Sequence, residues 1–200
     1  MRIALAIAAL SLSFTPSAFG FDAATQGIIE RYKANKLVAM SDVATLMSSS
    51  ERWCYAEEAG SCGWSDIYLD VTDTGAEFEI GNAWSEAVDI AFTDRGTFKD
   101  NRYICETGED WVPTLRAISR PEGKLLVGRE LHALKAEVEA TQAADTLDCF
   151  DYLYRSSDAD AQTITLLQRQ YTDDVYNPVN DTEVTLHFDA ANAAALTWRW

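Results

Sequence analysis

The chain has 200 residues, 48% hydrophobic, 24% charged and 11% aromatic, an ordinary globular balance that excludes disorder, collagen and fibrous low-complexity structure. It carries 16 Lys and Arg against 32 Asp and Glu, a net charge of −16 at neutral pH. A surface this acidic repels phosphate backbones and anionic lipid, so no nucleic-acid partner is expected.

Met1-Arg2 makes a short positive start, Ile3 to Leu12 an apolar run, and Ala18-Phe19-Gly20 places small residues before a cut at Phe21. This is the layout of a secretory signal peptide over residues 1–20. The apolar run is shorter than the roughly 20 residues that span a bilayer, and no later window is long and apolar enough to span as a helix. The expectation is an exported domain over residues 21–200, periplasmic or secreted from a bacterium, with no membrane span in the mature chain.

Export sets the meaning of Cys54, Cys62, Cys105 and Cys149. An even set in an oxidising compartment reads as disulfides. Cys54 and Cys62 are close, with Gly60 and Gly63 to let the chain turn. The expected pairing is therefore Cys54–Cys62 and Cys105–Cys149, the second closing a long loop at a gain of about 4 kcal/mol. Zinc is disfavoured, because no CxxC pair occurs and only His132 and His187 could assist.

Helical spacing of Ile28, Ile29 and Tyr32, then of Val43, Leu46 and Met47, predicts helix over residues 22–48. A joint near residues 35–40 would divide it in two, with Asp22 and Ser41-Asp42 as N-caps. Residues 51–65 read as a disulfide loop rich in aromatics and acids. From residue 66 to 107 the period becomes two, with Ile67/Leu69/Val71, Ala76/Phe78/Ile80 and Val88/Ile90/Phe92 alternating. Turn signals at Asp73-Thr74-Gly75, Gly81-Asn82 and Asp94-Arg95-Gly96 make this an antiparallel meander. A strand over 98–105 ends it, and residues 111–118 suggest one more short strand. Pro121-Glu122 opens a helix over about 122–144, striped by Val127, Leu131, Leu134 and Val138. Strands return over 147–155, 162–171, 182–189 and 194–200.

The fold class expected is α+β, with two helical regions packed on antiparallel β-meanders. The order helix, Cys, meander occurs twice. A tandem duplication with half-repeats 21–110 and 111–200 would give two similar sheets meeting about a pseudo-twofold, with a cleft between them. The alternating end Leu196-Thr197-Trp198-Arg199-Trp200 also suits the last strand of an outer-membrane β-barrel. Two helical regions, four cysteines and strands short of the 9–11 residues that a bilayer needs fit that class badly.

Chemistry-bearing patterns are few. The elbow G-x-S-x-G, the G-x-G-x-x-G fingerprint and the P-loop are absent, and His132 and His187 suit a solvated or core role. Cys62 beside Trp64 echoes a thiol-protease neighbourhood, but an oxidised sulfur is no nucleophile. Asp158-Ala159-Asp160 begins a calcium-loop pattern and does not complete it. Asp70, Asp73, Glu77 and Glu79 read as solvated strand ends. Glu57, Glu58 and Asp66, near Trp53, Tyr55 and Trp64, are the acids best placed for a sugar.

No metal or cofactor is expected. The segment from Trp53 to Trp64 is the expected contact surface, since a short disulfide loop loses little entropy on binding. Its candidate ligand-binding residues are Tyr55, Glu57 and Glu58, exposed, with Trp53 and Trp64 turned inward over the bridge. Together these features point to an exported, disulfide-stapled, non-catalytic module that binds a protein, glycan or small ligand. An acid-pair hydrolase acting on a glycan and a structural envelope protein are the alternatives.

Overall fold

The computed structural model describes residues 20–106, 111–141 and 147–200. The expected leader lies outside these residues except for Gly20. Asp22 starts the first helix, its carboxylate accepting from the N–H groups of Ala24 and Thr25 at 2.8 and 3.0 Å. These are donors that a helix start leaves open. Helix α1 (Ala23–Arg31) buries Ile28, and α2 (Met40–Ser49) buries Met40, Val43, Leu46 and Met47. The joint falls where expected, but Ser41 does not cap α2. Its own N–H donates to Asn101 Oδ1 at 3.0 Å, so a distant turn supplies the cap.

The strands after α2 are β1 (Arg52–Tyr55), β2 (Ser61–Cys62), β3 (Trp64–Val71), β4 (Gly75–Ala83), β5 (Val88–Lys99) and β6 (Tyr103–Glu106). A hairpin follows, β7 (Arg116–Ser119) and β8 (Lys124–Leu125), and then helix α3 (Gly128–Thr141). The chain continues through β9 (Asp148–Asp158), β10 (Thr163–Thr172), β11 (Val175–Tyr176), β12 (Thr182–His187), α4 (Ala190–Ala195) and β13 (Thr197–Trp198). Eight strands close an antiparallel barrel in the order β4-β3-β1-β12-β10-β9-β6-β5, with β5 pairing back onto β4.

The barrel is two arcs. Strands β1 and β3 to β6 form one, and β9, β10 and β12 the other. Both halves of the chain thus build one barrel, in place of two sheets flanking a cleft. One seam, β1–β12, has four residue pairs. The other, β6–β9, has two, Ile104 with Phe150 and Cys105 with Cys149. The second of these pairs is also the Cys105–Cys149 disulfide, its Cα atoms 4.0 Å apart. Beyond it, the α1–α2 joint takes over the edge of β9. The Asn35 and Val38 N–H groups donate to the carbonyls of Tyr154 and Tyr152 at 2.7 and 2.9 Å, and the Tyr154 N–H donates back to Lys36 at 2.9 Å.

Several boundaries differ from the expectation. Residues 51–65 are a β1–β3 hairpin pairing Trp53 with Asp66, its connection tied by the Cys54–Cys62 disulfide. Strands β4 and β5 run straight through Gly81-Asn82 and Asp94-Arg95-Gly96, expected as turns. The glycines there serve close approach: a Cβ at Gly81 would collide with the Trp198 ring, and one at Gly96 with Ile104. Residues 111–118 begin as a 3-10 turn, and only β7 is strand. Pro121-Glu122 lie in the β7–β8 turn, where Gly123 takes φ +61°, so α3 starts at Gly128. The expected helix residues 142–144 lie outside the described chain. Of the expected last strand, 194–200, only Thr197–Trp198 is strand, while residues 194–195 end α4, which Asp189 caps by accepting from the Asn192 N–H at 2.8 Å.

Helix α3 packs outside the main core, where Leu134 and Val138 cover Ile90, Leu115 and Ala117. Along β9, β10 and β12 the buried residues Tyr152, Ile164, Leu166, Val184 and Leu186 face inward. Their outward neighbours include Asp151, Thr165, Arg169, Glu183 and Thr185. This apolar-in, polar-out alternation is the reverse of a membrane-spanning barrel. Replacing Cys105 and Cys149 together with alanine should cost about 4 kcal/mol in urea unfolding. A loss under about 1 kcal/mol would mean that the β6–β9 seam holds without its bond.

Candidate ligand site inside the barrel

One end of the barrel is plugged. Ile28, Met40, Leu46 and Met47 of the helices form a single core with Trp53, Ile164 and Leu186. Towards the other end the inward positions turn polar: Tyr55 on β1, Asp66 on β3, Glu106 on β6, Asp148 on β9, Gln168 and Gln170 on β10, and Thr182 on β12. With Trp64, Tyr68, Phe78, Ile80 and Phe150 they line a cavity of about 260 Å³ that reaches the surface beside the exposed Asn180. Eight strands give a barrel wide enough to be filled by side chains or to hold one small ligand.

A bulge places Asp66 there. The register of β3 on β4 shifts between Tyr68 and Asp70, and an extra residue flips the faces of a strand. Before the shift Trp64, Asp66 and Tyr68 face inward; after it Val71 does, while Leu69 is 53% exposed. The expected core face Ile67/Leu69/Val71 therefore holds only at its end.

The Tyr55 hydroxyl donates to Asp66 Oδ2 at 2.7 Å, while Asp66 Oδ1 is buried without a partner. Burial pushes the Asp66 carboxyl up to about 7, with the hydrogen bond from Tyr55 opposing and repulsion from Asp94 adding. Burial likewise pushes Glu106 up to about 8, helped by repulsion from Asp94, Asp148 and Asp66. No Lys, Arg or His among the described residues forms an ion pair with either acid. The phenols of Tyr55 and Tyr68 are held well above their ordinary range, chiefly by burial, and stay neutral. The Tyr55 ring stacks on Trp64 with centroids 4.8 Å apart and planes 9° off parallel. Gln168 Nε2 donates to the Tyr152 hydroxyl at 3.2 Å.

Of the three candidate ligand-binding residues, the structure brings only Tyr55 to this cavity. It is 1% exposed, contrary to expectation, because the alternation of β1 points Trp53 and Tyr55 into the barrel and Cys54 out of it. Trp53 is buried, inside the barrel rather than over the bridge, and Trp64 is half-buried in the cavity wall. Glu57 lies on the outside, its Oε2 2.8 Å from His187 Nε2. Glu58 is exposed beside the Cys54–Cys62 connection.

Cys54, Glu57 and His187 converge, but the Cys54 sulfur is bonded to Cys62, which leaves too few donors for a metal. His132 is exposed on α3. Asp158 turns on itself, accepting from the N–H groups of Asp160 and Ala161 at 2.9 and 3.0 Å, and Glu77 pairs with Arg95 at 2.8 Å. Glu106, Tyr68 and Gln168 escaped sequence reasoning. The available signal was parity: Glu106 shares the strand face of Ile104, and Asp66 lies between Trp64 and Tyr68 on theirs.

No protein-family model matches the chain, and no characterised protein or solved structure matches it significantly. The cavity's own groups show its capacity. Two desolvated carboxyls beside aromatic faces can donate hydrogen bonds when neutral, or hold a cation when ionised.

A carboxyl whose folded pKa is raised keeps its proton longer in the folded state than in the unfolded one. Stability is then full below the unfolded value near pH 4 and falls as pH rises to about 8. Asp66 and Glu106 should together lower stability progressively over that window. Thermal midpoints of the ligand-free protein should decline accordingly, and Asp66→Asn with Glu106→Gln should flatten the slope. An unchanged slope in that variant would show that other groups titrate.

Proposed function

We propose that the protein is an exported, non-catalytic module that holds one small ligand inside its barrel. The observation that carries this reading is the cavity of about 260 Å³ with polar groups aimed into an otherwise apolar barrel. Clefts for drug-sized ligands run to about 300–1,000 Å³, so the space suits a smaller molecule better than a glycan chain or a protein segment. Tyr55 stays in the site, while Glu57 and Glu58 fall outside it. The two disulfides support an oxidising compartment, periplasmic or beyond. Acid-pair hydrolysis gains less support. It needs one carboxyl protonated and the other ionised, and burial pushes Asp66 and Glu106 the same way.

A thermal-shift screen of small metabolites tests the reading, since a ligand that binds only the folded state raises the midpoint by mass action. At least one compound should shift the wild type, and Thr182→Trp, which fills the cavity at its rim, should abolish that shift while retaining the native circular dichroism. Shifts that survive Thr182→Trp would place the ligand outside the barrel.

A further inference from the structure

We propose that the ligand is a small hydroxyalkyl ammonium ion of the choline type, its charge held by Asp66 and Glu106 and its alkyl groups against the Tyr55–Trp64 wall. This rests on the barrel being the ligand site, and it adds the chemistry of what enters. Asp66 is 6% exposed, and its Oδ1 has no donor although it lines open space. A buried acceptor left unsatisfied calls for a donor, which the hydroxyl of a hydroxyalkyl ammonium ion such as choline supplies while its nitrogen carries the charge. Trp and Tyr rings attract cations over their faces, most strongly where water is excluded, and the Tyr55–Trp64 stack forms the wall beside Asp66.

A compact metal ion fits less well. Calcium takes six to eight oxygen ligands at short range. Among the described residues, no three acidic or histidine ligand atoms converge within 4.8 Å in the barrel. A larger cation with dispersed charge needs no such convergence.

Binding is coupled to protons. The other titratable groups among the described residues that act on the pair are Tyr55, Tyr68, Tyr152, Asp94 and Asp148, all acidic. Uptake of a cation therefore displaces protons from Asp66 and Glu106, and affinity falls as pH drops below about 7.

Isothermal titration with choline and with its uncharged carbon analogue 3,3-dimethylbutan-1-ol, at pH 8.5 and pH 6, tests this. Choline should bind at least tenfold more tightly than the analogue at pH 8.5 and lose most of that preference at pH 6. Asp66→Asn with Glu106→Gln should erase the preference at both pH values. Equal affinities, or a pH-independent preference, would overturn the inference and leave the barrel reading standing. Failure of choline to bind would also overturn it, and the Thr182→Trp shift assay would then decide the barrel reading separately.

Discussion

Closure between β6 and β9 gives the molecule an inside. Two arcs of sheet meet there across two residue pairs, too few to hold the wall through backbone bonds alone. Three other contacts bridge the gap. The Cys105–Cys149 bond joins one of those two pairs. The α1–α2 joint supplies backbone partners where β6 has ended. From the β5–β6 turn, Arg102 donates to the fully buried Asp151 of β9 at 2.9 Å, and Arg169 of β10 grips the same carboxylate through two bonds of 2.7 Å. The helical region and the disulfide thus have one mechanical task, sealing the barrel.

Closure desolvates the groups that line the barrel, and the charges differ accordingly on its two faces. Asp151 points outward and is saturated by two guanidinium groups and the Tyr171 hydroxyl. Asp66 points inward and, among the described residues, one of its oxygens has no partner and it meets no cation. The same residue type at similar burial is a structural clamp in one place and lacks a charge partner among the described residues in the other. Unpaired carboxyls in a desolvated interior cost stability unless they hold their protons or gain a counter-ion. This favours a binding role over a purely structural one.

Much of the fold was legible. Helical spacing located α1, α2 and the core residues they bury, and period-two alternation located most strands. The Cys54–Cys62 and Cys105–Cys149 bonds of the structure are those that sequence proximity suggests. Closure was not legible, because register between distant strands depends on tertiary pairing that no local pattern encodes. Glycines misled in a consistent way: Gly81 and Gly96 look like turns, yet they are strand positions shaved to admit Trp198 and Ile104. The site was half legible. Tyr55, Trp64 and Asp66 drew notice as an aromatic and acidic group, but a bulge at Leu69 hid which way they face. Glu106 was invisible, because its partners in the cavity come from strands far away in the chain.

Burial without a counter-ion keeps two carboxyls inside the barrel protonated near neutrality. Side-chain carboxyl carbon shifts, followed by NMR across pH 3–10 on the ligand-free protein and assigned with Asp66→Asn and Glu106→Gln, test this most directly. Two resonances should titrate near pH 7 and 8. Titration of both groups near pH 4, the ordinary carboxylate range, would overturn this.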